Sequence, residues 1–150
     1  MAQITLFELG AANGRRYSQF SWRTRMALAH KGLACETVPV RVSDKAAIAF
    51  SGQDKVPILK DGDHVVSDSW KIAEYLESAY PDRPSLFGGE VGHGLSRFVN
   101  ALTDRQLIGK IVPALMFDVL DLVDVEDAAH LRKLERLFKK SLEEMAAQSE

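Results

Sequence analysis

Two short stretches constrain this chain most. In Lys55-Val56-Pro57-Ile58-Leu59 a proline opens a short apolar run, and in Asp68-Ser69-Trp70-Lys71-Ile72-Ala73-Glu74-Tyr75-Leu76 an acid and a hydroxyl open an amphipathic one. Between them lies Asp61-Gly62-Asp63, a hairpin signal. Proline cannot donate to a central ladder, so Pro57 marks a strand start, an edge or a cis peptide. The order that results is strand, turn, strand, helix, with polar groups gathered where the helix begins. Such a place suits a small zwitterionic ligand.

The remaining sequence frames that segment. Ile4 to Leu9 reads as a first strand, and Gly10 to Gly14 as the small-residue loop that ends it. From Ser18 to Lys31 the apolar positions Trp22, Met26 and Ala29 recur at helical spacing, and Lys31-Gly32 is a cation-then-glycine stop. Cys35 to Val40 reads as a second strand, parallel to the first because a helix separates them. A short helix is expected over Ser43 to Phe50. In the helix after Ser69, residues Ile72, Tyr75, Leu76 and Ala79 share one face.

Residues 81–89, rich in proline and glycine, read as a linker between a first domain over 1–80 and a helical segment over 90–150. There Val91, Leu95, Phe98, Val99 and Leu102 form one stripe, and Leu131, Leu134, Phe138, Leu142 and Met145 form another. Pro113 is expected to kink or end its helix. Two such stripes call for further cover, so the helical domain is expected to be incomplete or to dock on the first domain or on a second subunit.

Composition excludes several classes. With 19 basic and 21 acidic side chains the formal charge is -2, which gives no broad pull toward nucleic acid or anionic lipid. No apolar run approaches a membrane span and no signal peptide is evident, so a cytoplasmic protein is expected. Cys35 stands alone, which rules out an internal disulfide or a Cys-x-x-Cys pair. The four histidines share no ligand spacing, and no metal is expected. Asp118, Asp121, Asp124, Glu126 and Asp127 read as a solvated acidic turn.

A βαβ-α-ββα unit whose third strand opens on proline resembles the thioredoxin-like fold. With Lys55-Val56-Pro57, Asp68-Ser69 and a helical segment downstream, it resembles the glutathione S-transferase superfamily. The run Tyr17-Ser18-Gln19-Phe20-Ser21-Trp22-Arg23-Thr24-Arg25-Met26-Ala27-Leu28-Ala29-His30-Lys31-Gly32 is similar to the first helix of serine-type cytosolic members. It is closest to the bacterial β-etherase branch and its fungal relatives, as are Tyr80-Pro81-Asp82-Arg83-Pro84 and Leu86-Phe87. Where many serine-type members place proline after the serine, this chain has Gln19.

The resemblance implies an α/β thioredoxin-like N-terminal domain followed by a partial all-α domain. It also implies a transferase that binds glutathione as co-substrate and attacks a small electrophile, either an aromatic, aryl-ether-like one as in the β-etherase branch or, more generally, a small xenobiotic. A homodimer is the expected assembly. Ser18 would donate to the glutathione sulfur; by spacing alone it also reads as an N-cap. A free thiol near pKa 8.5 is only a few per cent ionised at neutral pH, so a donor at a helix N-terminus would help the thiolate form. Lys55 would reach the glycyl carboxylate, and Val56, held by Pro57, would pair with the cysteinyl backbone. Asp68 and Ser69 would take the γ-glutamyl ammonium and carboxylate. Tyrosine-type members carry their hydroxyl at the end of the first strand, where this chain has Phe7, and Cys35 reads as a packing residue. Asn13 is a further candidate to assist Ser18. Arg15, Arg16, Arg23 and Arg25 read as steering charges, or as side chains solvated or paired with acids. The alternative is a binding or scaffolding module that keeps this fold without turnover.

Overall fold

The computed structural model describes residues 3–133, 135–136 and 139–147. The chain divides into two compact units, Met1–Phe87 and Gly88–Glu150.

In the first unit β1 (Ile4–Leu9) leads through a loop into α1 (Gln19–His30), then β2 (Cys35–Val40), a 3-10 turn (Ala46–Ser51), β3 (Ile58–Asp61), β4 (His64–Ser67) and α2 (Ser69–Ala79). The sheet order is β2-β1-β3-β4, with β1 and β2 parallel and the other pairs antiparallel. This is the thioredoxin-like arrangement expected from the sequence. A two-residue loop closes the hairpin, and Gly62 at φ 58° adopts a conformation open to glycine without steric cost. The helix expected over Ser43–Phe50 is the 3-10 turn instead. Six residues running into left-handed Gly52 are too few to repay α-helix nucleation.

Alternation along β1 sends Ile4, Leu6 and Glu8 to a buried face. Ile4 and Leu6 meet Leu28 of α1, Leu59 of β3 and Ile72 and Leu76 of α2 there. On the other face Val40, Ile48 and Ile58 cluster with Phe7 and Val56. Each fully buried aliphatic side chain contributes about 1.5–3 kcal/mol. α1 departs from its expected stripe. Trp22, Met26 and Ala29 are exposed, and the helix turns Ser21, Thr24 and Leu28 inward. Ser21 and Thr24 are small enough to let α1 lie close against α2.

The second unit comprises α3 (Glu90–Leu102), a π-helical turn (Thr103–Ile108), α4 (Gly109–Leu120), α5 (Val125–Leu131) and α6 (Leu142–Ala147). α4 packs against α5 and α6, and Val119, Leu131 and Leu142 are buried. The helix does not end at Pro113. That proline is the fifth residue of α4, where its missing N–H forfeits the bond to the Gly109 carbonyl. The acidic run is a solvated turn only in part: Asp118, Asp121 and Glu126 are exposed. Asp124 caps α5 by accepting from the Asp127 N–H at 3.0 Å, and Asp127 is fully buried. The stripe Leu131 to Met145 is split between α5 and α6; Leu134, Phe138 and the Met145 side chain lie outside the described residues. On α3, Val91, Leu95, Phe98, Val99 and Leu102 are all exposed.

Polar struts fix the first unit. Buried Asp61 accepts from Tyr75 (2.9 Å) and Tyr80 (2.6 Å), joining the hairpin to the end of α2. Burial and this carboxylate push both phenols up to about 12. Lys31 does more than stop α1: it is 1% exposed, and its ammonium meets Glu77 at 2.8 Å and the Tyr80 carbonyl at 3.2 Å. Glu77 also accepts from the Leu86 N–H (2.9 Å) and the Ser85 hydroxyl, so residues 80–87 are tied to α2. Leu86 packs on the core and Phe87 on Trp70.

Burial alone would raise the Glu77 pKa, but the Leu86 amide, Lys31 and Ser85 outweigh it and hold the carboxyl at about 2. A depressed carboxyl stabilises the fold above its unfolded pKa of 4.5, and that contribution is lost as pH falls toward 2. Glu77→Gln is therefore expected to cost about 2 kcal/mol at neutral pH, less than for a fully enclosed pair because Glu77 is partly exposed. Urea unfolding from pH 7 to 2 checks this: the deficit should close through the acid window.

Candidate functional site

Strand register decides where the predicted residues meet. Phe7 near the end of β1 pairs with Ile58 at the start of β3, and Ile58 pairs with Ser67 at the end of β4. The loop to α1, the Val56-Pro57 peptide and the start of α2 therefore gather at one edge of the sheet. A direct bond joins two of them: the Asp68 N–H donates to the Pro57 carbonyl at 3.3 Å.

Ser18 is the N-cap of α1 and is buried. Its Oγ accepts from the Ser21 N–H at 3.3 Å, and its carbonyl accepts from the Trp22 N–H at 3.0 Å. A hydroxyl that accepts one hydrogen bond keeps its own proton to donate. Capping and donation to a ligand are thus compatible in one side chain. Val56-Pro57 is a cis peptide, with Pro57 buried and Val56 half-buried.

Asp68 has φ 81° and ψ 128°, a conformation costly for a side-chain-bearing residue. Its Oδ1 accepts from the Trp70 and Lys71 N–H groups at 3.0 and 3.1 Å. That double cap offsets the backbone cost and leaves the adjoining Ser69 N–H and hydroxyl with no acceptor among the described residues. Lys55 is exposed, two residues before the cis proline. Four of the six predicted residues, Val56, Pro57, Asp68 and Ser69, thus lie at or beside the bond that ties this edge together; Ser18 opens α1 beyond the same end of the sheet, and Lys55 is exposed.

Sequence reasoning missed what holds the loop before Ser18. Glu8 is fully buried and accepts from Arg16 Nε at 2.9 Å and from Arg25 Nη2 and Nε at 2.6 and 2.7 Å. Burial alone would raise its pKa; the two guanidinium groups overcome that and hold the carboxyl below its usual range. Its signal was legible in period two: after Ile4 and Leu6, the next inward position of β1 is an acid, which must be paired if buried.

Other candidates take packing roles. Phe7 lies 4.9 Å from the Phe50 ring. Cys35 is half-buried against the core, and burial pushes its thiol pKa up. A cavity of about 540 Å³, lined by Ile4, Leu33, Cys35, Tyr80 and Arg83 among others, lies at the starts of β1 and β2 and includes no predicted site residue. Trp70 packs on Phe87 as expected of a packing residue. Among the described residues no His, Cys, Asp and Glu group could hold a metal ion, and no helix is long and apolar enough to cross a membrane.

The fold is that of a thioredoxin-like domain, and comparison with known proteins agrees. The family described as "Glutathione S-transferase, N-terminal domain" matches residues 14–84. Glutathione S-transferase Z2 of Arabidopsis thaliana is 39% identical over 74 residues, 46% of this chain and 33% of that protein. The crystal structure of glutathione transferase GSTFuA2 from Phanerochaete chrysosporium superposes with TM-score 0.84 at 26% identity, covering 96% of this chain and 65% of that one. A glutathione S-transferase of Ceriporiopsis subvermispora, solved in complex with glutathione, shares the fold with TM-score 0.81 at 22% identity, over 95% of this chain and 63% of that one. The chain is a member of the glutathione S-transferase superfamily. Its match spans a third of the Arabidopsis relative, and the chain covers about two thirds of the two solved structures.

The cap at Asp68 yields a test free of any ligand. Asp68→Ala removes both bonds to α2 and leaves the strained backbone, so it should lower unfolding stability by about 1–2 kcal/mol. Asp68→Asn keeps the accepting oxygen and should stay within a few tenths of the parent in the same urea melts.

Proposed function

We propose that this chain carries the glutathione site of a serine-type glutathione transferase and that Ser18 stabilises the bound thiolate. The observation that carries the reading is the joining of Val56-Pro57 to Asp68-Ser69 by the Asp68 N–H to Pro57 carbonyl bond, at the end of the sheet from which β1 leads to the loop before Ser18. Each part of the tripeptide has a chemical counterpart there. The Ser69 N–H and hydroxyl suit the γ-glutamyl carboxylate at the positive end of α2, and the Asp68 carboxylate suits the neighbouring ammonium. Val56 would offer its backbone to the cysteinyl residue as an extended strand would, and Pro57 would hold it in place. Lys55 would meet the glycyl carboxylate. The Ser18 proton would then point to the sulfur.

In the reaction the thiolate attacks an electrophilic carbon. A carbon–sulfur bond forms, the carbon–oxygen bond of an aryl ether breaks, and the departing aryloxide takes a proton from water. The ether as leaving group follows from the resemblance to the β-etherase branch, and GSTFuA2 at 26% identity supports a fungal-type fold around it. The proposal includes a homodimer, for which the exposed apolar stripe of α3 offers a surface.

Titration of bound glutathione, followed by the ultraviolet absorbance of the thiolate, tests the central role. The parent should depress the thiol pKa by about one unit or more, equivalent to about 1.4 kcal/mol. Ser18→Ala should return it toward 8.5 with affinity changed less than about threefold, whereas Ser69→Ala should weaken binding about tenfold with the thiol pKa unchanged. Binding with an ordinary thiol pKa in the parent would instead mark a non-catalytic glutathione-binding module.

A further inference from the structure

We propose that Arg16 is a positioning residue, held by Glu8, which sets the loop before α1 so that the Ser18 hydroxyl is presented to the ligand sulfur. The inference rests on the function proposed above and adds residues that neither the family match nor the sequence reading assigns to it.

Residues 12–15 are exposed, so packing alone does not fix the loop that delivers Ser18. Arg16 spans it. Its Nε donates to buried Glu8 at 2.9 Å, its Nη1 donates to the Gly14 carbonyl at 2.6 Å, and its own carbonyl accepts from Trp22 Nε1 at 3.0 Å. Trp22 in turn lies under the Arg25 guanidinium, 5.1 Å from its ring centre, and Arg25 returns to Glu8 through two bonds. The circuit Glu8, Arg16, Trp22, Arg25 closes on itself within two residues of Ser18. It also requires an open flank: a Cβ on Gly10 would stand 3.0 Å from Arg16 Nη1 and 2.9 Å from the Pro39 Cβ. This explains why Trp22, exposed on α1, is not an idle surface group. A buried carboxylate is an expensive anchor unless fully paired, so the anchor and the loop are ordered together.

Arg16 could instead act only as a nearby positive charge, and Arg16→Lys separates the two. Lysine keeps the charge but has one nitrogen in place of the fork, so it cannot serve Glu8 and the Gly14 carbonyl in this geometry. The Arg25–Glu8 pair stays intact, which preserves the anchor of α1. Without ligand, amide hydrogen exchange at Ser21 and Trp22, which donate to Ser18 Oγ and to its carbonyl, should be about tenfold faster than in the parent, with Leu28 unchanged. With glutathione, the thiol pKa should rise by about half a unit or more while affinity stays within about threefold. Arg15→Lys, whose side chain is exposed, is the control and should match the parent in both.

Parent-like exchange in Arg16→Lys overturns the proposal whatever glutathione does, and so does a thiol pKa that stays depressed. A parent that fails to depress the thiol pKa overturns the function proposed above. The exchange result then still decides whether Arg16 sets Ser18.

Discussion

Strand β3 runs antiparallel to both of its neighbours, and the candidate site depends on the register that this produces. Because Ile58 stands beside both Phe7 and Ser67, the end of β1, the beginning of β3 and the end of β4 share one edge. Had β3 run parallel, Val56-Pro57 would lie at the far edge, about the length of a strand away from the helix starts. The hairpin at Gly62 makes the antiparallel order cheap, since a two-residue loop suffices. From that constraint follow two helix N-termini and one cis peptide facing a common region, with donors left over at Ser18 and Ser69.

Around this frame the unit uses buried charge as struts. Glu8 ties the loop before α1 to α1 itself, Asp61 ties the hairpin to the end of α2, and Lys31 with Glu77 ties both helices to residues 80–87. Each strut is a group that would be costly to bury alone and is matched by two or more partners. Their placement is not uniform in purpose. The Asp61 and Lys31–Glu77 struts stand toward the edge away from Ser18, where they serve stability, while Glu8 stands one residue from the strand end that feeds the site.

Much of this was legible in the amino acids. The strands follow from alternation, the hairpin from Asp61-Gly62-Asp63, and the caps from Ser18 and Asp68, because these features rest on local backbone chemistry that a few residues determine. What was not legible depends on partners far apart in sequence. Trp22, Met26 and Ala29 look like a buried stripe by spacing, yet the core accepts Ser21, Thr24 and Leu28, since close packing of α1 on α2 favours small groups. Lys31 reads as a helix-ending cation, and only Glu77 and the Tyr80 carbonyl, more than forty positions on, make it a buried one. The roles of Arg16 and Arg25 depend likewise on Glu8 lying on the inward face. At the site itself, residue types and order were readable, whereas their meeting at one edge needed the sheet topology.

The most direct measurement of the central claim is nuclear magnetic resonance mapping of the backbone amides during titration with S-methylglutathione, which has the tripeptide's ends but no ionisable thiol. The account predicts the largest shifts at Ser18, Val56 and Ser69, with the amides of the cavity around Cys35 and Arg83 unmoved. Shifts centred on that cavity, or none at millimolar ligand, would contradict it.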